Sequence, residues 1–368
     1  MPAAARRGRG GHGSPSLTPS LTPMPEYAIL ILPSANRVYT DTSPRLLHAE
    51  LTVFGAAVLS TQVLESGTRS IGGVSYVTFT TSEPLTDDDV TLLSNLSSAY
   101  VLFEITGELL RPLPLAPADV FDSDLLTIQK YSGKTNELFT KLLLNLTVLA
   151  CDRPRALVEG GLRLLDPLCG RGTTLGQAMM YGFDATGLEL DGKDFEAYQQ
   201  FIKTWLRTKR VKHKAEAGTL RHRKARLGRR LDIEYAASKE QYKAGETRTL
   251  GYLNCDTVHT DELLRPGSAD IVVTDAPYGV QHGSRTPDQA LARSPRDLLA
   301  AAVPMWTRVL RRGGALGISW NTHVVPRDEL AAILTGAGLT VLDGDPYESL
   351  AHRVDQAIVR DVLVARKD

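Results

Sequence analysis

Leu164-Leu-Asp-Pro-Leu-Cys-Gly-Arg-Gly-Thr-Thr174 is the stretch on which the fold turns. A short apolar run gives way to two glycines one residue apart, and then to residues suited to a helix. Gly170 and Gly172 let the backbone turn tightly and approach a ligand without a Cβ in the way. The helix expected from Thr173 aims its free N–H groups at that turn. A dinucleotide-binding loop would place a third glycine three positions after Gly172; here position 175 is leucine and the glycine is Gly176. Asp166, four residues ahead of the turn, would repel a pyrophosphate. A carboxylate in that place suits a ligand with a cationic end. The plainer alternative is that the glycines only end a strand and Asp166 caps a helix.

Outward from this loop, short apolar runs alternate with helical stretches. The strands expected are Leu162–Leu165, Ala185–Leu190, Thr249–Leu253, Ala269–Thr274, Ala315–Ser319, Leu339–Leu342 and Gln356–Val364. Several are apolar throughout, as strands covered on both faces must be. The alternation predicts a doubly wound α/β domain over residues 122–368, with seven strands, mostly parallel, the last antiparallel. Ligands of such sheets lie beyond the carboxyl ends of the strands, where the strand order reverses. Glu189 ends the second strand and is placed to accept from both hydroxyls of a ribose. Asp191 is read as the cap of the helix that follows. Asp256, after the third strand, is placed to accept from an adenine amino group, although a short Asn/Asp turn is common for its own sake.

Asp270-Ile-Val-Val-Thr-Asp-Ala-Pro-Tyr-Gly-Val280 is an apolar strand broken sharply at Asp275. It resembles the D/N/S-P-P-Y/F/W sequence of enzymes that methylate exocyclic amino groups. An aryl amine is a poor nucleophile because its lone pair is delocalised into the ring. The Asp275 carboxylate and a backbone carbonyl near Pro277 can accept its two N–H bonds, which directs the lone pair and stabilises the charge developing on nitrogen. Tyr278 offers a ring face to a base turned out of its stack, and Pro277 stiffens the turn. Alanine stands at position 276 where the first proline is usual; that position contributes backbone shape rather than a side-chain function.

Lys130-Tyr-Ser-Gly-Lys-Thr-Asn-Glu-Leu-Phe-Thr140, the Asp166–Thr174 loop, Asp275–Gly279 and Ser319-Trp-Asn-Thr-His323 together resemble the RNA methylase family that includes the Trm11-like tRNA guanine-N2 methyltransferases. The resemblance covers roughly Asp124 to the C-terminus. It implies a Rossmann-like class I methyltransferase domain, S-adenosylmethionine as cofactor, and an amino group of tRNA as acceptor. It also implies a helix over Tyr131–Phe139, with Thr135 and Asn136 near the methionyl end of the cofactor. The same site on DNA adenine or cytosine, or on a protein amide, is an alternative; so is a non-catalytic RNA-binding protein with a vestigial methyltransferase fold.

The rest of the chain reads more simply. Residues 1–24 carry arginines and Ser/Thr/Pro repeats and are expected to be a disordered leader. Residues 25–110 predict a small α+β module that serves substrate binding, with strands at Tyr27–Leu32, Val74–Thr80 and Tyr100–Ile105 and helices at Pro44–Leu59 and from Asp87. Three prolines in Arg111–Pro117 mark 111–121 as a linker. Lysine plus arginine number 42, as do aspartate plus glutamate, so net charge alone points to no polyanion. Distribution says more: Lys203–Arg230, in an insert spanning 203–247, holds twelve Lys/Arg against one acid, Glu216. That segregation suggests a phosphate-backbone contact, the bland reading being a solvated helix face. Three cysteines without a CxxC pair argue against a disulfide framework or a cysteine-built zinc site, and no other metal site is expected. No apolar run would span a bilayer, so a cytoplasmic protein is expected. His323 and His352 are open: substrate contacts or structural residues.

Overall fold

Alternation of covered and open residues sets the first sheet. In a computed structural model, which describes residues 24–33, 37–278 and 294–368, this sheet is built from β1 (Glu26–Ile31), β2 (Val63–Ile71), β3 (Val74–Thr81), β4 (Ala99–Thr106) and β5 (Leu109–Leu113), with helices α1 (Arg37–Ala57) and α2 (Asp87–Leu93) between them. The order is β2-β3-β1-β4-β5, all neighbours antiparallel. The β-α-β-β-α-β run with this order has ferredoxin-like connectivity. Sequence reading finds five of these elements and misses β2 and β5. β2 is mostly polar and exposed on both faces, so it carries no periodic signal. β5 begins inside the segment read as linker. Its Pro112 is tolerated because β5 is the edge of the sheet, where one side of the strand needs no N–H. The leader, residues 1–23, and Gly279–Val280 of the fourth-strand motif lie outside the described residues.

The remaining elements follow in chain order: α3 (Asp124–Thr127), α4 (Glu137–Ala150), α5 (Ala156–Glu159), β6 (Arg163–Asp166), α6 (Thr173–Met180), β7 (Asp184–Glu189), α7 (Gly192–Thr208), β8 (Lys212–His222), β9 (Ala225–Ala236), α8 (Lys239–Ala244), β10 (Arg248–Asn254), α9 (Thr260–Leu263), β11 (Ala269–Asp275), α10 (Pro295–Val309), β12 (Leu310–Asn321), α11 (Arg327–Gly336), β13 (Thr340–Val341), β14 (His352–Arg353) and β15 (Val359–Arg366). The main sheet runs β13-β15-β12-β11-β6-β7-β10-β9-β8, with β14 on β15. β12, β11, β6, β7 and β10 are mutually parallel, and β15 is antiparallel to β12. All seven strands read from the sequence are there. The sheet nevertheless has ten strands among the described residues, because β8 and β9 extend it past β10 and β14 adds to β15. The basic insert is therefore a hairpin built on the end of α7, not a solvated helix. Polar, alternating Lys212–His222 gives no apolar run from which that could be read.

Strand order reverses between β6 and β11: from β6 the chain moves outward through β7 and β10, then returns to the other side at β11. The carboxyl ends of these strands are thus the expected ligand edge. The two sheets share one apolar core, which runs from Tyr27, Phe54 and Phe79 to Phe139, Leu143 and Tyr252. A buried polar knot joins them. Glu50 of α1, fully covered, accepts from the Ser97 N–H, from Ser97 Oγ at 2.6 Å and from Asn145 Nδ2 of α4 at 2.7 Å. Burial pushes its carboxyl up, against the opposing pull of those donors.

Candidate active site

Four neighbouring strands, β11, β6, β7 and β10, each end in or just before an acid: Asp275, Asp166, Glu189 and Asp256. At about 4.8 Å between strands they span roughly 14 Å along the carboxyl edge. Asp166 is buried and accepts from Thr274 Oγ1 of the adjacent strand at 2.8 Å and from the Leu168 N–H at 3.2 Å. Burial pushes its carboxyl up to about 6, although these donors pull the other way. Glu189 accepts from the Gly170 N–H at 3.0 Å and from the Asp191 N–H at 2.6 Å. Burial, with Asp194 and Asp191 nearby, pushes it up to about 7. Asp191 caps α7 through the Lys193 N–H, as its place in the sequence predicts.

The glycine turn is as tight as its sequence requires. Gly170 and Gly172 adopt φ of +49° and +76°, and a Cβ on Gly172 would lie 2.3 Å from the ring of Tyr198. Beyond β10, Asp256 caps a 3-10 turn through the Val258 N–H. It borders a cavity of about 250 Å³ that is also lined by Leu190, Asn254 and, from the hairpin, Leu227 and Gly228. S-adenosylmethionine carries hydrogen-bond donors along its length: an ammonium, two ribose hydroxyls and an adenine amine. A row of acceptors beside an unobstructed glycine turn fits that donor set, and two of the acids are held with raised pKa values that a bound cation would reverse. Asp166, Glu189 and Asp256 are the residues that would hold it.

At the other end, the Asp275 carboxylate is fully engaged. Oδ1 accepts from Tyr278 Oη at 2.5 Å and from Ser319 Oγ, and Oδ2 accepts from Thr135 Oγ1 at 2.5 Å. The Arg360 guanidinium of β15, itself buried, lies 3.8 Å away and donates through Nε to Tyr278 Oη at 2.6 Å. It packs 4.3 Å from the centre of the Phe139 ring and 5.1 Å from that of Tyr278. Tyr278 is thus tied back onto Asp275 and Arg360; burial raises its hydroxyl well above the usual range. Asn321 holds the Tyr278 carbonyl at 3.3 Å. Ala276 is buried and donates its N–H to the Ser319 carbonyl at 2.8 Å, a backbone role with no side-chain function. Pro277 is exposed.

Thr135 and Asn136 do not stand together at a methionyl subsite. Thr135 sits on Asp275, while Asn136 caps α4 through the Leu138 and Phe139 N–H groups. Nor does a helix cover Tyr131–Phe139: α4 starts at Glu137, because Gly133 at φ +80° and the Asn136 cap hold the preceding residues in a turn. Ser319, Arg360 and Phe139 are partners of the centre that the motif reading does not single out. The available signal for Arg360 was a charged pair, Arg360-Asp361, in the middle of a buried strand. His352 is buried beside this cluster, 5.2 Å from the Phe139 ring. Its Nδ1 lies 2.9 Å from the Leu350 carbonyl, so that nitrogen is the protonated one, and burial pushes its pKa down to about 4. His323 makes only a backbone contact here, donating its N–H to Asn321.

Residues 153–314 match the protein family described as RMKL-like, methyltransferase domain. Among solved structures, TrmN from Thermus thermophilus aligns at 14% identity over 84% of this chain and 60% of its own, with a TM-score of 0.36. The 1,6-didemethyltoxoflavin-N1-methyltransferase of Burkholderia thailandensis, with S-adenosylhomocysteine bound, aligns at 16% identity over 58% and 74%, TM-score 0.32. TYW2 of P. horikoshii, in complex with MeSAdo, aligns at 12% identity over 72% and 70%, TM-score 0.32. The fold is that of a class I methyltransferase with a mixed sheet, and the protein is an S-adenosylmethionine-dependent methyltransferase. Its span 153–314 belongs to the RMKL-like methyltransferase family, in keeping with the RNA methylase resemblance of its motifs. Among the described residues no helix is long and apolar enough to cross a membrane, and no cluster of His, Cys, Asp and Glu could hold a metal.

Proposed function

We propose that the enzyme methylates an exocyclic amino nitrogen of a nucleic-acid base, the N2 of guanine in tRNA, in the cytoplasm. The observation that carries this reading is Asp275: a carboxylate at the end of β11, one strand from Asp166, with hydroxyl donors on both oxygens and Arg360 behind it. S-adenosylmethionine, when bound, supplies an electrophilic methyl group on a sulfonium. Asp275 gives up hydroxyl partners and accepts an N–H of the incoming amine, while the carbonyl near Pro277 accepts the other. The nitrogen lone pair is then directed at the methyl group, a C–N bond forms as the S–C bond breaks, and the carboxylate offsets the positive charge gained by nitrogen. The surplus proton leaves to water, so no general base is needed. In this reading the N-terminal sheet assists in holding the substrate.

Replacing Asp275 with alanine should lower kcat by at least about 100- to 1000-fold, the usual effect of removing one group that stabilises transition-state charge. Calorimetry with S-adenosylmethionine should show nearly unchanged affinity. Full activity in that variant on tRNA would end the mechanism. Mass spectrometry of tRNA nucleosides from cells with and without the gene identifies the acceptor; an unaltered N2-methylguanosine level would end the guanine assignment.

A further inference from the structure

The hairpin β8–β9 divides into two halves of different electrostatic character. In the lower half the charges are matched within the chain: Lys214 with Glu216 at 2.7 Å, Arg230 with Asp232 at 2.5 Å. Arg229, opposite the last residue of β10, is held by Glu196 at 2.7 Å and by the Gly192 carbonyl at 3.0 Å. Above that level the acids stop. Arg221, Arg223, Lys224 and Arg226 are all exposed, and among the described residues none of the four forms an ion pair.

This tip stands on the catalytic edge. Asn254 pairs with Arg229 at the carboxyl end of β10, and Lys224 is five residues further along β9. At about 3.3 Å per residue the ribbon reaches roughly 17 Å past that end. It is anchored there rather than free. Leu220 is buried and Leu227 packs into the same apolar cluster as Val258 and Leu263. His222 lies 3.6 Å from Glu262 of α9. A Cβ on Gly228 would fall 1.8 Å from the Asn254 carbonyl oxygen, so the two backbones are in direct contact beside the Asp256 cavity.

Two features of the tip are unfavourable for folding. Arg221 and Arg226 are directly opposed across the ribbon, and like charges in that relation destabilise a strand pair. The two turn residues, Arg223 and Lys224, both adopt positive φ, 47° and 71°. Such a two-residue turn favours Asn-Gly, because Cβ-bearing residues are strained there. A polyanion on the tip relieves the repulsion and uses the strained residues, which present two cations at the outermost point.

We propose that Arg221, Arg223, Lys224 and Arg226 form a clamp for the phosphodiester backbone of the RNA whose base enters the site. The inference rests on the nucleic-acid reading given above. Phosphates on either side of the target base come within reach of the ribbon, and such contacts fix register without reading sequence.

The test uses the full chain and labelled unfractionated tRNA, with anisotropy followed at several salt concentrations. The variant Arg221→Ala/Arg223→Asn/Lys224→Gly/Arg226→Ala should bind tRNA at least about tenfold more weakly. Its plot of log affinity against log salt should be shallower by about 2 to 3, at roughly 0.7 to 0.9 per phosphate lost. Affinity for S-adenosylmethionine should stay within about twofold of wild type, as for any change outside the cofactor edge. The double change Arg223→Asn/Lys224→Gly eases the turn, so it should keep or raise Tm while the slope falls by about 1 to 2. Wild-type affinity and slope in both variants would overturn the clamp and leave the methyl-transfer reading intact. Failure of the wild-type chain to bind or methylate tRNA would overturn both. Binding of poly-glutamate in place of tRNA would reassign the tip to an acidic protein and overturn the clamp.

Discussion

The two edges of the parallel sheet handle their acids in opposite ways. At the amino edge, Asp270 of β11 accepts from Arg163 of β6 at 2.9 Å and from Arg311 of β12 at 2.6 Å, and Arg311 continues to Asp152. Burial pushes Asp270 up, yet the two guanidiniums hold its carboxyl below the usual range. At the carboxyl edge, Asp166 and Glu189 have only hydroxyl and amide donors, and burial leaves both raised. One edge matches each buried charge inside the chain and so stabilises the fold. The other leaves its acids without a cation and so stands ready for one that arrives with a ligand. Carboxylates of the same type, a strand's length apart, divide stability from binding.

The contrast can be broken from either side. Asp166→Asn removes an acceptor for a charged donor, worth about 1.5–3 kcal/mol; affinity for S-adenosylmethionine should fall by about 10- to 100-fold, while Tm stays or rises because a costly buried acid is gone. Calorimetry and a melting curve read the two halves of that statement, and a fall in Tm with unchanged affinity would reverse it. Asp270→Asn should do the converse. It leaves Arg311 short of a partner and should lower unfolding free energy by about 2 kcal/mol, less than a fully buried pair because Arg163 is half-exposed. Cofactor affinity should not change.

A smaller effect sharpens the same point through pH. Asp166 and Glu189 have folded-state values of about 6 and about 7, above their unfolded ones near 4. Their contribution to the stability of the ligand-free enzyme is present below pH 4 and is lost as pH rises through 6 and 7. Asp270, depressed, contributes above its unfolded value and loses that contribution as pH falls through its folded one. A cationic ligand favours ionised Asp166, so its binding releases protons and should tighten by severalfold between pH 5.5 and 8. The rise in Tm on adding S-adenosylmethionine should grow over that range, and should grow less in Asp166→Asn. A flat profile in the wild type would remove Asp166 from the cofactor contact.

What could be read from the sequence follows how local each signal is. The seven strands of the main sheet announce themselves as apolar runs, and the Asp166 loop and Asp275 turn lie at their ends. The hairpin does not, since Lys212–His222 is polar and exposed over most of its length. The partners of Asp275 were hidden for a different reason. Thr135 comes from 140 residues away, and Arg360 reaches Tyr278 across 82. No periodicity encodes such meetings. They exist because α4 and β15 pack against β12, which brings a cap-adjacent threonine and a strand arginine to the same carboxylate.

The knot of Glu50, Ser97 and Asn145 has a consequence for how this chain can be divided. Prolines at 112, 114 and 117 make a visible seam in the sequence, but the interior has none: α4, whose first turn faces Asp275 through Phe139 and Arg360, is covered on its other side by α1. A fragment cut at the prolines would turn Asn145 and the apolar residues around it to water, beside the helix that frames the reaction centre. The two sheets are therefore one inheritance, and recombination or truncation at the seam carries its damage into catalysis.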